Sequence, residues 1–242
     1  MRQVLALMDL KIRLVFANIP VCMTLLMPVG LTLSARMISG SDFSEADGLF
    51  SLGMSLSLSI VMGAVLLGSS MLAEEKEKHT LRVLMTSGIS GKQYIIGSLV
   101  PYTLIVEGIN LVLLPICNVQ LSVRDFVYFI GITLVTTAIT MLLGLTIGII
   151  SKNTTEANAY VTPLFLILGM LPIFGTLNEF VKMFTDWVYM GILVDYVKDI
   201  YDYHLDFRDI FVLLAWFGLD IWVFIKAYQK NGLDEDKVHI IV

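Results

Sequence analysis

Few residues in this chain are placed to do chemistry. Glu107 stands near the middle of a long apolar run, with Thr103 four residues before it and Asn110 three after, so the three share one helical face. Asp220 stands in another apolar run with no polar companion at that spacing. An ionised carboxylate inside a bilayer costs at least about 2.5 kcal/mol, so such groups turn toward a bundle interior or a cavity. Two roles fit Glu107: contact with a cation, or a protonated carboxyl hydrogen-bonded to the next helix. The remaining polar chemistry is concentrated in Glu74 to Ser98, EEKEKHTLRVLMTSGISGKQYIIGS. There Glu74 and Lys78 are spaced to pair at i, i+4, while Leu81, Leu84 and Met85 form an apolar face. Gly88 and Gly91 end that helix, and a helix this short at a membrane boundary needs a partner.

Catalytic motifs do not occur. The nucleotide-binding pattern G-x-x-x-x-G-K-[ST] is absent; Gly88 to Gln93, GISGKQ, is a shortened echo without Ser or Thr after the lysine. Neither H-E-x-x-H nor G-x-S-x-G is present, and His79, His204 and His239 fall on loops and the tail. Glu74 and Glu75 are adjacent, as in some intramembrane proteases, but the arginine and intramembrane histidines of that pattern are missing. Cys22 and Cys117 sit in apolar runs without metal-ligand spacing. No basic patch suits a nucleic acid. The chain is expected to bind no cofactor and no metal.

The elements that carry these residues follow from composition. Of 242 residues, 57% are hydrophobic and 15% charged, which is too apolar for an ordinary soluble domain. Spanning a bilayer takes about 20 apolar residues with the backbone satisfied internally, so an all-α integral membrane protein of six spans is predicted. Residues 1–13 form an amphipathic interfacial helix with Val4, Leu5, Met8 and Ile12 on one face. The first span covers about Leu14 to Ala35, bent by Pro20 and Pro28. The second covers Leu49 to Ala73, with Ser51, Ser55, Ser59 and Gly63 at four-residue intervals that admit another helix closely. The third covers Tyr94 to Cys117. The fourth covers Phe126 to Ile150, with Gly144 and Gly148 read as ordinary packing. The fifth covers Ala157 to Gly175 and the sixth Ile210 to Tyr228.

Between the last two spans, residues 176–209 place Phe180, Phe184, Trp187, Val188 and Ile192 at helical spacing, with Tyr189, Tyr196, Tyr201 and Tyr203 as interfacial aromatics. With the N-terminus inside, eleven of the 16 Lys and Arg lie on inner segments, leaving Arg36, Arg124, Lys182, Lys198 and Arg208 outside. Both termini and the Glu74 segment are then cytoplasmic.

The Glu74 segment resembles the first cytoplasmic loop of type-2 ATP-binding-cassette (ABC) transporter permeases, E-x-E-x-G-T-L-x-x-L followed by a small-residue turn. Glu75, Glu77, Thr80, Leu81 and Leu84 stand in those places, then Ser87, Ser90, Gly91 and Lys92. The chain departs from the pattern at His79, where glycine is usual, and at Gly88, where proline is common. The S-x-N turn at Ser151 to Asn153, followed by a span with an early Pro163, is similar to the same family.

The resemblance implies a single permease domain over residues 1–242, with a cytoplasmic coupling segment at 74–92 and outer re-entrant helices within 176–209. It implies a second permease copy, as homodimer or related heterodimer, in the plasma membrane. It also implies two cytoplasmic P-loop ATPase subunits that bind the ATP and Mg. Glu74, Glu75, Glu77, Lys78, Thr80, Leu81, Arg82, Leu84, Met85 and Lys152 are the expected coupling residues, with Glu75, Glu77 and Arg82 in polar contact with the ATPase. Thr103, Glu107, Asn110 and Asp220 are the candidates for the translocation path. Export is expected, with a hydrophobic or amphipathic cargo and peptides of toxin or bacteriocin type first. The competing readings are an ion-coupled secondary carrier working through Glu107 or Asp220, and a structural membrane subunit.

Overall fold

The computed structural model describes residues 2–86, 89 and 91–230; the side chains of Arg82, Met85 and Lys92 lie outside that description, as do Ser87, Gly88, Ser90 and His239. The chain is 87% helical with no strand among the described residues, and six helical stretches are long and apolar enough to cross a membrane.

Helix α1 (Arg2–Ala17) packs along α6 (Gly91–Ile116), and Asn18 separates it from α2 (Ile19–Ser39), the first span. Asn18 caps α2 by accepting a hydrogen bond from the Val21 amide. The interfacial helix is therefore longer than residues 1–13, and the span starts at Ile19 rather than Leu14. Pro20 falls in the first turn of α2, where its missing N–H removes no helical bond, so it starts the span instead of bending it. The face of α1 turned to the protein is a separate one from the expected apolar stripe. Leu7, Lys11 and Val15 are buried, while Leu5 and Ile12 of the stripe are exposed, free to face a membrane.

The second span runs from Glu45 to Glu77 as α3 (Glu45–Ser57), a π-helical segment (Leu58–Ala64) and α4 (Val65–Glu77). A capping box between Ser44 and Asp47 starts it. Its small-residue stripe receives α2: Thr32 Oγ1 and Ser55 Oγ lie 2.5 Å apart, and a Cβ on Gly63 would lie 3.4 Å from Leu25. The chain reverses at Lys78 and His79, and α5 (Thr80–Thr86) follows.

Helix α7 (Val123–Ile150) is the fourth span and sits at the centre, packed on α4, α6 and α12 (Phe207–Lys230). Gly144 and Gly148 are used within the chain: a Cβ on Gly144 would lie 2.9 Å from the Val65 carbonyl oxygen, and one on Gly148 2.8 Å from Leu72 Cβ. The fifth span is α8 (Thr154–Leu164), a second π-helical segment (Phe165–Met170) and α9 (Leu171–Gly175). The two π segments touch each other.

Two short helices, α10 (Glu179–Thr185) and α11 (Tyr189–Lys198), connect to α12, the sixth span. Helix α10 exposes Phe180 and Phe184, whereas α11 is a core element against α3. Tyr189 and Tyr196 are accordingly buried rather than interfacial. The Tyr196 hydroxyl donates to the Asp125 carbonyl at 3.2 Å, and that of Tyr189 lies 2.9 Å from Thr140 Oγ1.

Candidate functional site

The polar segment divides differently from the way its charges suggest. Glu and Lys are good helix formers, so α4 continues through Glu74, Glu75 and Glu77 before it stops, and the short helix begins only at Thr80. The reversal places His79 at φ +58°, a left-handed backbone that favours glycine. Glycine's usual presence there in the resembled pattern therefore has a backbone reason.

Neighbouring residues on the last turn of α4 point about 100° apart, and each meets a different element. Glu74 faces the boundary: it pairs with Lys78 at 2.5 Å and accepts a hydrogen bond from Asn18 Nδ2 at 3.0 Å. That bond to Glu74 holds the Lys78 ammonium above its ordinary pKa. Glu75 turns inward instead of toward a cytoplasmic partner. Its carboxylate receives Lys11 Nζ at 2.5 Å and the Tyr94 hydroxyl, while Lys11 also donates to Tyr94 at 3.0 Å and lies 4.2 Å from that ring's centroid. Lys11 is fully buried. Burial lowers its pKa, and the facing Glu75 charge pulls it back up. This network clamps α1, α4 and α6 together.

Lys76 reaches the other way and donates to the Ile149 and Ser151 carbonyls at 2.5 and 2.6 Å, capping the end of α7. Glu77 accepts from Thr154 N and Oγ1 at 3.3 and 3.1 Å. The turn from Ser151 to Asn153 is thereby tied to the end of α4. Lys152 is exposed in that turn, its amide held by Glu156 at 2.8 Å. Sequence reasoning missed Lys11, Tyr94, Lys76 and Thr154. Lys11 at four-residue spacing from Leu7 and Val15 was the available signal.

Helix α5 lies on these elements through Leu81, which is buried, and Leu84, which is half-buried; Val83 is exposed, and the Thr80 hydroxyl donates to the Glu75 carbonyl at 3.1 Å. Between α1, α5 and the ends of α2 and α4 lies a cavity of about 740 Å³. Its walls are apolar, from Leu10, Leu14, Val83 and Leu84, with Glu74 and Lys78 at its polar side.

The intramembrane candidates lie elsewhere and do not meet in one place. The stripe on α6 faces α7: Glu107 is buried, accepting from Thr133 Oγ1 at 2.7 Å and from Asn110 Nδ2 at 3.2 Å. This is the geometry of a carboxyl hydrogen-bonded to a neighbouring helix. Thr103 Oγ1, Asn110 Oδ1 and Asp220 Oδ2 are buried without a hydrogen-bond partner among the described residues. None of the four residues lines the cavity beside α5.

No curated protein matches the chain. A family model described as ABC-2 type transporter matches residues 3–201, which takes in the interfacial helix, five spans, both elbows at the α5 end and α11. With six apolar spans and that match over most of its length, the chain belongs to the ABC-2 type transporter family, as a multi-pass membrane permease subunit of an ABC transporter.

Proposed function

We propose that this permease works in an ATP-driven exporter of the plasma membrane, with both termini cytoplasmic, and that the cavity beside α5 is where a separate P-loop ATPase docks. The observation that carries this reading is the joining of that cavity to the rest of the cytoplasmic end. Its walls belong to α1, α4 and α5, and the same α4 turn holds the Ser151 to Asn153 elbow through Lys76 and Glu77. Movement of a docked ATPase therefore reaches α1, α4, α7 and α8 together. Exposed Val83 and half-buried Glu74 meet the partner in this account, Lys152 and Glu77 meet it at the turn from Ser151 to Asn153, and Glu75 sets the posture of α1. Arg82 and Met85 share α5 with Val83.

Two ATPase copies and a second permease copy complete the assembly, with ATP and Mg on the ATPase. The cargo is hydrophobic or amphipathic, with peptides of toxin or bacteriocin type first, as suits an apolar chain with 13 methionines. Within the bundle, Glu107 serves as a clamp between α6 and α7. Thr103, Asn110 and Asp220, with their unpartnered oxygens, are the positions from which cargo contact can open.

The test is purification of the tagged chain from its membrane, identification of partners by mass spectrometry, and an ATPase assay. A stoichiometric P-loop ATPase is expected, lost with Val83→Glu and retained but uncoupled from transport with Glu77→Lys. Purification without any ATPase would count against the reading.

A further inference from the structure

Five cations lie at the end of the bundle away from α5, and four are engaged. Arg36 donates to the Ile116 carbonyl at 2.8 Å, Arg124 pairs with Asp125, Lys182 with Asp195, and Arg208 with Asp186 and Asp209. The side chain of Lys198, at the end of α11, has no hydrogen bond or ion pair among the described residues. Acidic side chains are close by, so the lysine is not free for want of carboxylates.

Lys198 lines two adjacent cavities, one apolar and one edged with carboxylates. On one side is an apolar pocket of about 330 Å³ between α3, α9 and α11, lined by Leu49, Phe50, Gly53, Ile173 and Val197. Its size falls within the range of small-molecule sites, about 300–1,000 Å³. Gly53 helps to form its floor: a Cβ there meets only Val197, at 3.7 Å. On the other side is a cavity of about 470 Å³ of mixed lining that includes Asp199, Asp202, His204 and Asp206. The apolar pocket lies in the first turns of the second span, below the Ser44 cap, and therefore at the depth where acyl chains begin.

An occupant that leaves Lys198 satisfied must carry an anion beside an apolar chain. A simple anionic amphiphile would meet repulsion from Asp199, Asp202 and the negative end of the α11 dipole. A head group that brings its own cation avoids it. We infer that this pocket binds one aminophospholipid from the leaflet opposite α5, with an acyl chain against Gly53, the phosphate on Lys198 and the ammonium toward Asp199 and Asp202. The inference is independent of the ATPase reading.

The test is native mass spectrometry of the purified permease equilibrated with equal amounts of phosphatidylethanolamine and phosphatidylglycerol of the same chain length. One retained phosphatidylethanolamine is expected. Lys198→Gln, at an exposed position, removes a charge-assisted contact and should lower retention by about tenfold. Gly53→Leu fills the pocket and should lower it similarly, while Gly53→Ala keeps it. Asp199→Asn with Asp202→Asn should abolish the preference between head groups without abolishing binding. Wild-type retention in Lys198→Gln or in Gly53→Leu, or an unchanged preference in the double variant, overturns the assignment.

Discussion

Replacing Glu75 with Gln tests the inward clamp. Among the described residues the fully buried Lys11 ammonium has one countercharge, at 2.5 Å, and one further acceptor, Tyr94, at 3.0 Å. The glutamine keeps the shape and removes the charge, leaving a buried cation with only neutral partners. Breaking a buried pair from one side costs about 3–5 kcal/mol, or roughly 6–20 °C in the unfolding midpoint of a chain this size. Removing both charges is different: Lys11→Met with Glu75→Gln leaves no ion to desolvate and should fall within about 1 kcal/mol of the native protein. The double variant is thus predicted to be more stable than Glu75→Gln alone.

The sign with pH follows from Lys11. Burial already holds its pKa below the ordinary 10.5, and loss of Glu75 removes what opposed that shift. Between the lowered folded value and 10.5 the unfolded chain binds the proton that the folded chain sheds, so stability of Glu75→Gln rises with pH across that window. Thermal unfolding in detergent, followed by circular dichroism at a fixed heating rate from neutral to alkaline pH, reads all three quantities. A Glu75→Gln midpoint equal to wild type at neutral pH, or additive effects of the two substitutions, would refute the clamp.

Other outcomes follow from single positions. His79→Gly relieves a left-handed backbone and should stabilise by up to about 1 kcal/mol, while His79→Val, β-branched at φ +58°, should destabilise by more than that; both are read by the same unfolding assay. Gly144→Ala drives a methyl into the backbone of Val65 and Ala64 and should cost about 1–3 kcal/mol. Gly131→Ala, with nothing within 4 Å, should be neutral or stabilising by up to about 1 kcal/mol, as helix propensity gives. Glu107→Gln keeps an acceptor for Thr133, so transport and expression should stay near wild type; lost transport at normal expression would move Glu107 from the clamp to the path.

The six spans were legible because twenty apolar residues in a row have few other uses, and the Glu74 segment was legible because it interrupts them. The boundaries were less so. The apolar run from Leu14 is interrupted at a single residue, and only the pair Asn18 and Pro20, a cap followed by a proline, marks the break. The inward direction of Glu75 was hidden because its partner Lys11 lies 64 residues earlier in a helix whose apolar stripe pointed to lipid. Lys76 and Thr154 were hidden for the same reason, since each satisfies a group on a distant elbow. Neither π segment leaves a pattern that apolar periodicity can detect.

Those two segments have a consequence for how the spans age. A π turn holds one residue more than the α-helical turn it replaces, and the extra residue is absorbed locally. Each affected span is therefore two helices whose rotational settings are independent. The α3 part of the second span is set toward α2 and α11, and the α4 part toward Lys11 and the end of α7. Loss of one residue within Leu58–Ala64 leaves both settings in place, whereas the same loss within α4 turns Glu75, Lys76 and Glu77 away from their partners by about 100°. Over evolutionary time, length changes in these spans should collect at the π segments and spare the helices on either side.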